Sequence, residues 1–171
     1  MNPDLVVVGG GATGIGAARA ARSKRASVVM VEKARIGGDC TFTGCVPSKA
    51  VIEAAERGER FAEAMAQAHR AVEQVAATES AAVLGDEGIE VVKGVARFTG
   101  RDTLELDGKA VHARRVVIAT GAHPAVPPIP GIESVAYLTN ETLFDLSSLP
   151  SSLAVLGGGP IGVEMAQAFS R

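Results

Sequence analysis

The sequence predicts an α/β fold built on a parallel sheet, and three observations carry that prediction. Two short apolar runs, Leu5 to Val8 and the run that ends ASVVMVEK at Lys33, flank a glycine turn and a helix-forming stretch. Short β-rich runs separated by Gly and Asp follow a long helical region. A second apolar run, glycine turn and helix start, SLAVLGGGPIGVEMAQAFSR, then repeats the opening pattern. Strands that are apolar on both faces and joined through a helix belong to a parallel sheet with covered faces, the βαβ arrangement of Rossmann-like nucleotide-binding folds.

Taken in order, DLVVVGGGATGIGAARAARSK reads as a buried strand, a glycine turn and a helix from about Gly14 to Lys24. ASVVMVEK is the second buried strand, ending at Glu32. Residues 48 to 84 read as helical, because Phe61, Met65, Ala68, Val72 and Val75 recur at helical spacing, with Gly58 as a break and Gly85 as a stop. IEVVKGVARFT, DTLELDG and KAVHARRVVIAT read as a small antiparallel meander that feeds into a core strand at Val116 to Ala119. AHPAVPPIPG, with four prolines, is an extended connection. The last unit has one strand and a helix stub whose apolar positions are Ile161, Met165 and Phe169, with no further strand to complete a sheet. The division expected is therefore a domain over 1–150 and the start of a second over 151–171, in a chain read as the N-terminal part of a longer protein, with the segment from 153 onward labile.

Composition narrows the function. Of the 171 residues 47% are apolar and 21% charged, a globular balance, and the formal net charge of −2 leaves no basic stripe for nucleic acid. The start MNPDLVVVGG has neither the basic residues nor the long apolar region of a signal peptide, and no run reaches membrane-spanning length. A cytoplasmic home follows, where a close cysteine pair is more often catalytic or metal-binding than a lasting staple.

Gly9, Gly11 and Gly14 stand where a strand meets a helix. The first supplies the tight turn, the second lets backbone approach a pyrophosphate, and the third lets helix and sheet pack closely. Phosphates then face the free N–H groups and the positive end of the helix. Glu32 ends the second strand, where a carboxylate accepts hydrogen bonds from ribose hydroxyls. The plainer alternative is a structural turn beside an exposed glutamate. Gly157, Gly159 and Gly162 repeat the spacing, but the residue that would separate NADH from NADPH falls beyond the sequence.

Cys40 and Cys45, with four residues between them, could be metal ligands, a staple or a redox pair. Zinc needs three or four ligands, and His69, His112 and His123 read as an ordinary helical, strand and connector histidine, so no metal set is expected. A staple around so small a loop restrains the unfolded chain only modestly. A redox pair accounts for more. Cys45 precedes Val46, Pro47 and Ser48 at the start of a helix, whose N-terminus would stabilise its thiolate, and Lys49 stands one turn on.

These residues carry a family resemblance. GGDCTFTGCVPSK, with VVVGGGATGIGAA before it and VVIATGAHP and VLGGGPIGVEMAQAF after it, resembles the class I pyridine nucleotide-disulfide oxidoreductases, of the dihydrolipoamide dehydrogenase and mercuric reductase type. The resemblance implies FAD on the first turn, with Gly9, Gly11, Gly14 and Glu32 at its ADP half, Lys49 near the flavin ring, and Ala119, Thr120 and Gly121 passing the flavin. It implies NAD(P)H as co-substrate at Gly157, Gly159 and Gly162, Cys45 as the flavin-facing sulfur, and Cys40 as the sulfur that meets a disulfide or metal-ion acceptor. A homodimer is implied for the full-length protein. Asp39 and the TFT that follows Cys40 depart from the familiar pattern. A second reading, a non-enzymatic FAD-binding redox sensor, uses the same residues to switch a partner surface.

Overall fold

The structure is a computed structural model and describes residues 2–106 and 108–171; Asp107, in the DTLELDG run, lies outside the described residues. The elements are β1 (Leu5–Val8), α1 (Ala12–Ser23), β2 (Val28–Glu32), α2 (Gly38–Phe42), α3 (Cys45–Glu56), α4 (Phe61–Thr78), α5 (Ala81–Asp86), β3 (Ile89–Lys93), β4 (Ala96–Phe98), β5 (Thr103–Leu106), β6 (Lys109–His112), β7 (Arg115–Ile118) and α6 (Pro160–Phe169). They fall into two compact units. The first takes the chain up to Cys40 with Ala76–Ala122, and the second takes Thr41–Val75 with His123–Arg171.

In the first unit β1, β2, β3 and β7 form a parallel sheet in the order β3-β2-β1-β7. Period-two alternation sends neighbouring residues of β1 to opposite faces. Val6 joins Val29, Val31, Leu104, Leu106 and Val111 under the meander. Val7 joins Ile15, Ala18, Met30, Leu84 and Ile89 under α1 and α5. Both faces of the central strands are therefore covered, which is why β1 and β2 are so apolar. Asp4 ties the base of the sheet together: it accepts from the Ser27 N–H at 3.0 Å and from Arg114 at 3.1 Å.

The α/β class and the parallel sheet match the expectation from sequence. Within it, the meander is narrower than the sequence implied. IEVVK leaves the antiparallel group and lies in the main sheet as β3, pairing Val28 with Ile89, and the meander is β4-β5-β6 alone. Alternation in so short a run does not distinguish a parallel edge strand from a meander strand. Helix α1 starts at Ala12 rather than Gly14, because extended Gly11 caps it and accepts the Ile15 N–H at 2.9 Å.

In the second unit α3, α4 and α6 share a core of Ala50, Val51, Met65, Ala68, Leu143, Phe144, Met165 and Ala168. Two sequence expectations are corrected here. The run Leu153 to Leu156 is not a strand, since among the described residues no strand lies alongside to accept its ladder, and Leu156 is left 68% exposed. The face of α6 is not uncovered either. Met165 is buried and Phe169 meets Phe61 edge to face at 5.9 Å, so helices stand where a sheet was expected, while Ile161 does stay exposed. No helix among the described residues is long and apolar enough to cross a membrane.

Candidate functional site

The first unit brings its sequence-predicted residues to one place, the carboxyl end of the sheet. Gly9 leaves β1 with φ +107°, and a Cβ there would come 2.1 Å from the Ala119 carbonyl oxygen. No side chain fits that gap. A Cβ on Gly14 would come 1.9 Å from the Gly9 oxygen, so α1 can sit this close to the turn only if that residue has none. Gly11 stands between them at the N-terminus of α1 in more open surroundings, where a Cβ would have only the Gly38 Cα near it, at 3.8 Å. The Ala119 N–H donates to Val8 at 2.8 Å and carries the chain past this turn to Thr120 and Gly121.

Glu32 is held on both oxygens. The Gly10 N–H donates to Oε2 at 2.6 Å and the Ala34 N–H donates to Oε1 at 2.7 Å. Each carboxylate oxygen has a second lone pair, so the group is oriented by the fold and still able to accept from a ligand hydroxyl. This fixed acceptor lies beside the first turn of α1, whose N–H groups a helix leaves without intrahelical acceptors. Phosphates on the helix start and a ribose diol on Glu32 are the ligand chemistry that such a pair of features fits.

The segment leading to Cys40 packs against the same turn. The Gly37 N–H donates to Gly10 at 2.8 Å, Gly11 and Gly37 form a parallel bridge, and a Cβ on Gly38 would come 2.8 Å from the Gly11 Cα. Sequence reasoning missed Gly10, Ala34, Gly37 and Gly38. The glycine doublet before Cys40 is a visible signal; the amide directions of Gly10 and Ala34 are not, because they are properties of backbone rather than residue type.

Cys40 lies within α2, partly buried, and Cys45 is the first residue of α3, exposed; both are thiols in this structure. Gly44 caps α3, and the Ser48 N–H donates back to it at 3.1 Å. Pro47 falls in the first turn, where a helix can spare its N–H. Lys49 lines a groove of about 360 Å³ between α3 and α4 with Val46, Glu53, Gln67 and Arg70.

In the second unit Gly157 has φ +105° and Gly159 caps α6 with φ −73° and ψ 170°. Gly9 and Gly11 have +107° and −77°/−177°. A Cβ on Gly162 would meet the Gly157 oxygen at 2.7 Å, as one on Gly14 meets Gly9. The second turn copies the first even where its preceding run forms no strand. The histidines do not converge: His69 contacts the Phe144 carbonyl at 3.0 Å, His112 the Thr103 hydroxyl at 3.1 Å, and His123 pairs with Glu141 at 2.8 Å.

Comparison with known proteins gives a consistent picture. Residues 3–171 match the family described as Pyridine nucleotide-disulphide oxidoreductase. A mercuric reductase of Streptomyces lividans is 39% identical over 98% of this chain, which spans 40% of that relative. A mercuric reductase of Lysinibacillus sphaericus is 34% identical over 98% of the chain and 34% of its own length. A glutathione reductase of Burkholderia cepacia is 33% identical over 98% of the chain and 40% of its own. The solved Cu(II) complex of the HOCl-induced flavoprotein disulfide reductase RclA from Escherichia coli superimposes with a TM-score of 0.89 at 29% identity, covering 99% of this chain and 40% of that one. The chain thus spans well under half the length of these relatives.

Proposed function

The chain belongs to the pyridine nucleotide-disulphide oxidoreductase family, and from that premise we propose that it is the FAD-binding part, 1–150, and the opening of the NAD(P)H part, 151–171, of a dithiol/disulfide oxidoreductase. A bound FAD would supply the relay by which a hydride equivalent from NAD(P)H reaches the disulfide of Cys40 and Cys45. In the oxidised enzyme of this proposal Cys40 and Cys45 are joined as that disulfide; one NAD(P)H, one proton and the S–S bond would yield NAD(P)⁺ and the two thiols.

The chain's own residues take defined roles in this proposal. The backbone around Gly9, Gly11 and Gly14 seats the pyrophosphate, and Glu32 accepts the ribose hydroxyls. Ala119, Thr120 and Gly121 wall the cofactor, and Gly157, Gly159 and Gly162 begin the NAD(P)H turn. Cys45, the first residue of α3, would be the sulfur that exchanges electrons with the flavin, with Lys49 one turn further along the same helix. Cys40 is the outer sulfur, whose thiolate attacks a disulfide acceptor or ligates a metal ion that is reduced. The names of the relatives, mercuric and glutathione reductases and a flavoprotein disulfide reductase in complex with Cu(II), support a disulfide or metal-ion acceptor. A homodimer of the full-length protein and a cytoplasmic setting belong to the same reading.

The observation that carries it is the Glu32 carboxylate, fixed by two backbone N–H groups beside a side-chain-free glycine turn. The test is an anaerobic titration of the purified full-length protein with NADH and with NADPH. Bound FAD, and two new alkylatable thiols at Cys40 and Cys45 for each NAD(P)H consumed, are the expected result. Protein that purifies without flavin and takes none up, or reduction that exposes no thiols, overturns the proposal.

A further inference from the structure

We infer that Gly38 is a positioning residue for the redox pair, coupling occupancy of the dinucleotide turn to the reactivity of Cys40; the inference rests on the nucleotide-binding reading above. Gly38 opens α2, and Cys40 lies two residues on within the same short element. Gly38 has φ +61°, and a Cβ on it would stand 2.8 Å from the Gly11 Cα. The contact is therefore backbone on backbone, with no side chain between the two segments to absorb a displacement. Beside it, the Gly37 N–H donates to the Gly10 oxygen at 2.8 Å and the Gly11–Gly37 bridge adds a second tie.

Close-packed backbone transmits small shifts rather than damping them. A phosphate settling on the start of α1 fixes Gly10 and Gly11, and Gly37 and Gly38 are fixed with them. The first turn of α2, and Cys40 in it, is then held against an occupied turn rather than an empty one. Linkage requires the reverse as well: whatever holds α2 favours nucleotide on the turn.

ADP is the probe, because it fills the turn and carries no flavin ring to shield the sulfurs. The full-length protein, reduced and stripped of flavin, is treated with iodoacetamide with and without saturating ADP, and labelling at Cys40 is read by peptide mapping. In the wild type, ADP is expected to slow Cys40 labelling by about tenfold, within the usual range for coupled sites. Gly38→Asn tolerates a positive φ but carries the intruding Cβ, and it should bind ADP more weakly and lose the effect on Cys40. Gly58→Asn, also at positive φ but with open space around it, should behave as wild type. ADP that binds the wild type without changing Cys40 labelling overturns the inference, and this arm needs no variant. So does an equal ADP effect in wild type and Gly38→Asn. Absence of ADP binding to the wild type, read separately by calorimetry, overturns the nucleotide reading itself and the inference with it.

Discussion

Glu32 shows what a single side chain can carry here. Its carboxylate is already oriented by Gly10 and Ala34, so a ribose bound to it meets an acceptor that needs no reorganisation. Glu32→Ala should weaken FAD binding by about 1.5–3 kcal/mol, the range for a hydrogen bond to a charged group; an unchanged dissociation constant for FAD would reduce Glu32 to a structural cap. The cysteines make a second residue-scale test. Cys40→Ser should leave Cys45 without a disulfide partner and give a long-wavelength absorption with bound flavin without added reductant, whereas Cys45→Ser should abolish the band. Equal spectra would overturn the assignment of inner and outer sulfur. Glu32 was legible from its distance to the glycine turn, while its two N–H donors and the Gly38 contact were not, since spacing does not give the direction of an amide.

At the scale of one element, α1 contains its own comparison. A Cβ on Gly14 runs into the Gly9 oxygen, whereas one on Gly16 meets nothing within 4 Å. Gly14→Ala should destabilise the fold by about 1–3 kcal/mol, and Gly16→Ala should stabilise it by about 0.5–1 kcal/mol through helix propensity. Urea unfolding of both variants decides; shifts of the same sign would show that the turn relaxes around Gly14. The base of β1 adds a pH dependence. The Ser27 N–H, then the Ser27 hydroxyl, then Arg114 hold the Asp4 carboxyl below its ordinary range. A depressed folded value stabilises above the unfolded value, near pH 4, and that contribution is lost as pH falls through the lower folded value. The gap in melting temperature between wild type and Asp4→Asn should therefore close on acidification below about pH 4; a gap independent of pH would remove Asp4 from the acid limb. Elements were legible where a run was apolar on both faces, as in β1 and β2. β3 and the run at Leu153 to Leu156 were not, because strand identity depends on a neighbour in space: β3 has β2, and the later run has none among the described residues.

Across the whole molecule, order follows burial rather than sequence pattern. Amides of residues 153–158 have no ladder and should exchange fastest, while those of α6 around Met165 and Ala168, packed on the α3–α4 core, should be slower. Hydrogen exchange on the 171-residue chain reads this directly, and strong protection over 153–156 in a monomer would overturn the ordering. The arrangement of the parallel sheet also has a temporal side. Leu5 pairs with Val28 on one flank and with Arg115 on the other. A ribosome adding about 5–20 residues per second delivers β2 several seconds before β7. For that interval the growing chain displays an apolar β1 with one flank open, and the nascent protein is expected to depend most on a ribosome-bound chaperone then, before β7 emerges to pair with that flank.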